Sequence, residues 1–222
     1  MHPHLSVHEQ LLDTETEFGP TVMPHSPIVL RQLLDEFEDL VREQGAPVDG
    51  HLAPGISRET LTEQLGSVGL APPEELVTWF AWHNGLRPTF GGKLRVDCLP
   101  PCITPSALDT AIERYYTDAD ADHEDGRWDA APGWLMLDNT VNRLAVHCGG
   151  DPNSPPLIRA VDMENPLWAE HSSQQAISLC TAVSHWIRAL ELGVYVWNMN
   201  DRAWDYTYSR IPPLLLKTGM VV

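Results

Sequence analysis

Two stretches of helical periodicity, one near each end, constrain this chain more than any other feature. Between Ile28 and Glu43, Leu30, Leu33, Leu34, Phe37, Leu40 and Val41 recur at three- and four-residue steps, with Asp and Glu on the opposite face. Gly45 supplies a stop. From about Ser173 to Leu192, Ala176, Leu179, Cys180, Val183, Trp186, Ile187 and Leu190 repeat the pattern, and Gly193 sits where a C-terminal cap belongs. A helix with one apolar stripe must bury it against another element. The intervening sequence therefore has to supply a partner surface.

A second pair of helices is expected first. Ser57 is an N-cap candidate ahead of Leu61, Leu65 and Val68. Ala71-Pro72-Pro73-Glu74-Glu75 then reads as a helix start, with acids placed to favour the dipole. Leu76, Val77, Phe80 and Ala81 form its apolar face, and Asn84-Gly85 is expected to end it. Beyond that the texture changes to short runs bounded by turn residues: Lys93–Val96, Trp134–Leu137, Arg143–His147 and Leu157–Val161. One helix, from Pro105 or Ser106 to about Tyr116, interrupts them. Val194–Trp197 and Asp205–Tyr208 suggest a terminal hairpin or strap. This order predicts an α+β fold: a mostly antiparallel sheet of short strands, packed by helices from both ends of the chain.

Composition narrows the function classes. With 14 Lys+Arg against 31 Asp+Glu, the 222 residues carry a formal charge of −17. That balance argues against nucleic acid, whose phosphates require cations, and against anionic membrane surfaces. It suits solubility, or a basic partner steered in by the field. No apolar run is long enough to cross a bilayer, and Met1–Asp13 lacks the basic and apolar regions of a signal peptide. Cys98, Cys102, Cys148 and Cys180 do not form a disulfide framework, so a reducing, cytoplasmic location is expected.

The segment Gly69-Leu70-Ala71-Pro72-Pro73-Glu74-Glu75-Leu76-Val77-Thr78-Trp79-Phe80-Ala81-Trp82-His83-Asn84-Gly85 resembles the SUKH superfamily. That family shows a helix, a glycine and a proline, then an acidic helix carrying an aromatic and ending in Asn-Gly. The resemblance continues through Gly133-Trp134-Leu135-Met136-Leu137, similar to the family's tryptophan-led strand, then through two further strands and a helix after Ser172-Ser173. It covers about residues 57 to 193. Leu86 stands where many members have a second glycine. On this reading residues 1–27 are a flexible arm, 28–56 an added amphipathic helix and connector, and 194–222 an aromatic extension packing on the domain. The resemblance implies a non-enzymatic protein-binding domain. Many bacterial members act as immunity proteins against polymorphic toxins such as nucleases or deaminases, and a fungal branch acts as a scaffold in cell-wall regulation.

Three constellations invite chemistry. Asp118, Asp120 and Asp122 occupy the first, third and fifth places of a calcium-loop pattern. The sixth and twelfth places hold His123 and Asp129, where an EF-hand needs glycine and a bidentate glutamate. A solvated acidic loop is the better reading, and Asp118, Asp120, Asp122, Glu124 and Asp125 then become the candidate contacts for a basic protein. Cys98, Cys102 and the adjacent His147-Cys148 lack the two spaced pairs of a zinc site, and read as small buried thiols. His83, His147, His171 and His185 could serve as bases, but no nucleophile signature accompanies them; His185 is expected at the solvent or a boundary. Trp134 and Trp186 are assigned to the core. Trp82 and His83, at a helix end, and the tail tryptophans are candidate partner contacts, since exposed aromatics form interface hot spots.

The expected function is therefore that of a protein-binding domain with no cofactor and no metal, neutralising a basic toxin. An intracellular scaffold or regulatory module with no toxin partner is the alternative. The sequence leaves the oligomeric state and the partner's identity open.

Overall fold

In the computed structural model, α1 spans Pro27–Glu43, one residue earlier than its apolar pattern begins. Ser26 caps it, its hydroxyl accepting from the Val29 N–H at 3.3 Å. The structure describes residues 15–16, 19–20, 26–87, 99–100, 103–120, 133–138, 142–148, 158–162 and 178–211. Ahead of α1, the two-residue strands β1 (Glu15–Thr16) and β2 (Gly19–Pro20) pair antiparallel.

After α1 come β3 (Leu52–Pro54), α2 (Arg58–Ser67), α3 (Glu74–Trp82) and β4 (His83–Leu86). Ser57 caps α2 as expected, accepting from the Thr60 N–H. α3 stops at Trp82, however, and Asn84-Gly85 lies in a strand instead of ending the helix. The reason is tertiary: β4 pairs antiparallel with β3, with Pro54 opposite His83 and Leu52 opposite Leu86. Gly85 does adopt a positive φ, +75°, and any Cβ there would collide with the backbone nitrogen of Ala107.

α4 (Leu108–Asp120) runs past the expected end near Tyr116, no glycine or proline intervening before Gly126. A three-stranded antiparallel sheet follows, ordered β5 (Trp134–Met136), β6 (Asn142–His147), β7 (Ile158–Asp162). Its register sets Leu135 opposite Val146 and Val146 opposite Ile158. The run at Lys93–Val96 lies outside the described residues.

α5 (Leu179–Glu191) begins later than the expected Ser173, because Ser178 is its cap, accepting from the Thr181 N–H at 3.1 Å. Residues 173–177 are outside the described set. β8 (Tyr195–Asn198) and β9 (Ala203–Tyr206) form the terminal hairpin. Mixed helices and small antiparallel sheets make the fold α+β.

α5 is the centre of the packing. Every residue from Leu179 to Ile187 is buried, so the helix is covered on all sides and not on one stripe. α1 lays Leu30, Leu33, Leu34, Phe37 and Val41 toward it, with the Phe37 ring 5.7 Å from Trp186. Trp79 of α3 meets the same indole edge-on at 6.4 Å. Burying side chains of this size contributes on the order of 2 kcal/mol each before chain entropy is counted. Tyr195, Trp197 and Trp204 of the hairpin join the same continuous core. α1 and the C-terminal hairpin are thus integral to one hydrophobic interior.

Candidate functional site

The residues proposed as partner contacts fall into two groups. Asp118 and Asp120 lie in the last turn of α4, in helical backbone and not in the loop expected for them. Asp122, Glu124 and Asp125 lie outside the described residues, as do Cys98, Cys102 and His171.

Trp82 and His83 meet at the junction of α3 and β4, and there the expectation of an exposed aromatic is corrected. Trp82 is only 4% exposed. Its ring sits 5.6 Å from Trp79, and its indole N–H donates to Glu38 Oε2 at 2.9 Å. Helix ends are not exposed by default: α1 crosses this one and supplies a carboxylate for the indole. The tail tryptophans are corrected in the same way, since Trp197 and Trp204 are buried and face each other at 5.4 Å. Trp186 is in the core as assigned, while Trp134 is half-buried beside a smaller cluster of Met136 and Ala145.

His83 is half-buried and fully engaged. Its Nδ1 lies 2.8 Å from the Ala53 carbonyl oxygen, and its Nε2 lies 3.1 Å from Glu38 Oε2. The other carboxylate oxygen, Oε1, accepts from Arg42 Nη2 at 2.8 Å. Arg42 also pairs with Asp39 and Asp49. This arrangement gathers α1, β3, α3 and β4 around one carboxylate. It leaves the imidazole no lone pair directed outward to take a proton from a substrate.

His185 reverses its expected position, being 1% exposed within α5. Burial pushes it down to about 4, so the ring is neutral in the folded protein at ordinary pH. Periodicity marks one apolar stripe on α5 and so points His185 to the solvent or a boundary; burial on every side leaves no trace in that pattern. His147 packs its ring 5.1 Å from Trp134.

The thiols are also interior groups. Burial pushes Cys148 up to about 12. Cys180 is pushed higher, first by burial and then by the Glu75 carboxylate, and its thiol donates to the Ser26 carbonyl at 3.4 Å. Neither is a thiolate at neutral pH, which is the nucleophilic form. Among the described residues no three His, Cys, Asp or Glu side chains gather as a metal site.

One residue missed by sequence reasoning is Glu75. Read as a first-turn acid favouring its own helix dipole, it is instead 0% exposed and reaches α5, where its Oε2 accepts from the Leu179 N–H at 2.8 Å. The two residues are 104 positions apart, and no local signal connects them.

The exposed surface of α1 carries Asp35, Asp39 and Glu43, with Asp49 just beyond. Arg31 and Arg42 neutralise part of it through pairs with Asp35, Glu38, Asp39 and Asp49. No helix among the described residues is long and apolar enough to cross a membrane. Compared with known proteins, the chain matches no family model and no curated sequence.

Proposed function

We propose that this chain is a SUKH-like protein-binding domain that acts as an immunity protein, covering the cationic substrate cleft of a basic toxin. The observation that carries the reading is the −17 charge taken together with the Gly69–Gly85 motif series. The acidic run from Asp118 through Asp125 and the carboxylates along α1 are the groups that meet the partner's lysines and arginines. Paired surface charges of this kind accelerate encounter more than they add affinity. Further support comes from the chemistry of the interior: buried protonated thiols and a histidine with both nitrogens engaged suit a binding scaffold better than a catalytic centre.

Co-expression with a toxin gene adjacent to this one tests the proposal. The expected result is silencing of the toxin and co-purification of the two chains, weakened when Asp118, Asp120, Asp122, Glu124 and Asp125 are changed together to Asn and Gln. Unrelieved toxicity with no co-purifying protein removes the immunity reading. Binding to another intracellular protein that survives those substitutions would point to the scaffold or regulatory module instead.

A further inference from the structure

We propose that Glu38, Trp82 and His83 form a proton-dependent latch fastening α1 to the α3–β4 junction. The contacts of His83 call for more protons than a neutral imidazole carries. The Ala53 carbonyl oxygen can only accept, so the 2.8 Å contact with His83 Nδ1 requires a proton on that nitrogen. Glu38 Oε2, 3.1 Å from Nε2, is also an acceptor when ionised, and it already receives the Trp82 indole N–H. The second contact therefore needs a second proton, on the ring or on the carboxylate. With one proton fewer, the Nε2 lone pair faces the carboxylate oxygen, and the contact turns from attraction to repulsion.

The surroundings decide which contact yields. Arg42 from α1 holds Glu38 Oε1, and Asp39 and Asp49 in turn hold Arg42. Arg87, after β4, donates to the Leu52 carbonyl beside Ala53, and its own N–H bonds the carbonyl of His51. Among the described residues, these and His51, whose carbonyl accepts from the Arg87 backbone N–H, are charged and titratable groups that hydrogen bonds and ion pairs tie to the latch. Arg42 and the Trp82 indole keep Glu38 in place when the second proton leaves, so the link between His83 and α1 is the one lost. His83 and Glu38 side chains are 19% and 18% exposed, enough for solvent protons to reach them. His83 also stands opposite Pro54 in the β3–β4 ladder, so its release loosens that pairing as well.

The test uses the full chain and follows the Trp82 indole N–H resonance and tryptophan emission from about pH 5 to about pH 9, the span in which histidine changes charge. Trp82→Phe assigns the resonance by its loss. The expected result is a single-proton shift of the Trp82 resonance that disappears in both His83→Gln and Glu38→Gln and persists in His51→Gln. A Trp82 resonance that stays fixed across the range overturns the latch, as does a transition retained in both variants. Where Trp82→Phe fails to fold, the nuclear Overhauser contact expected between the Trp82 and His83 rings, 4.6 Å apart, assigns the resonance in the wild-type chain, and the wild-type titration carries the test.

Discussion

Replacing Glu75 offers the sharpest check on how this interior is held together. The side chain is fully buried, and its Oε2 accepts the Leu179 N–H, one of the donors that a helix N-terminus leaves without an intrahelical partner. In Glu75→Leu a side chain of similar bulk remains, but that N–H loses its acceptor inside the core. Leaving a buried N–H without its acceptor costs about 1–3 kcal/mol, and one at a helix N-terminus has no intrahelical carbonyl to turn to. Removing a buried polar side chain recovers some desolvation energy, which offsets part of the loss. We expect a net destabilisation of about 1–2 kcal/mol. For a chain of this length that is a fall in Tm of roughly 2–8 °C. Glu75→Gln keeps an acceptor for Leu179 and should lose about half as much. Thermal and urea unfolding followed by circular dichroism measure both, with exposed Glu63→Leu as the control. If Glu75→Leu falls within about 0.5 kcal/mol of that control, the contact does not anchor α5 and the reasoning is refuted.

Other outcomes follow from the same geometry. Gly85→Ala should destabilise by about 2 kcal/mol or more, combining a positive φ with a collision against the Ala107 backbone, and urea unfolding would show it. Cys148 and Cys180 should resist a thiol reagent in the native protein and react once it is unfolded; fast native labelling of either would contradict their protonated, buried state. His185 is lowered to about 4 in the folded chain against about 6.5 when unfolded, so the unfolded state binds more protons between those values. Its contribution is therefore present above about pH 6.5 and lost as pH falls toward 4, with a slope of at most about 1.4 kcal/mol per pH unit. His185→Gln should flatten that part of the stability profile, and an unchanged slope would count against a neutral buried ring.

What the sequence disclosed and what it withheld separate along physical lines. The Ser57 cap, the apolar face of α1 and the antiparallel strands of the middle region were legible because their signals are local: a side chain three residues from an orphan N–H, or a period of two or 3.6. The end of α3 was misread because Asn84-Gly85 carries a genuine left-handed signal that pairing with β3 uses within a strand. Trp82, read as a partner contact, and His185, read as lying at the solvent or a boundary, are both buried, because burial depends on which elements cross a residue. Glu38, part of an acidic face by pattern, proves to be the acceptor for Trp82 and His83 more than forty positions away. The candidate partner acids were readable only as composition, and Asp122, Glu124 and Asp125 rest on that still.

The proposed meeting of an acidic surface with a basic toxin is open to direct test. Where a neighbouring gene encodes a toxin domain, as the proposal expects, stopped-flow over a range of salt concentrations measures the association of that purified domain with this chain. A stoichiometric complex that abolishes toxin activity is expected, with an association rate that falls steeply as salt screens the charges. A fully active toxin in the presence of excess chain, or a rate indifferent to salt, would contradict it.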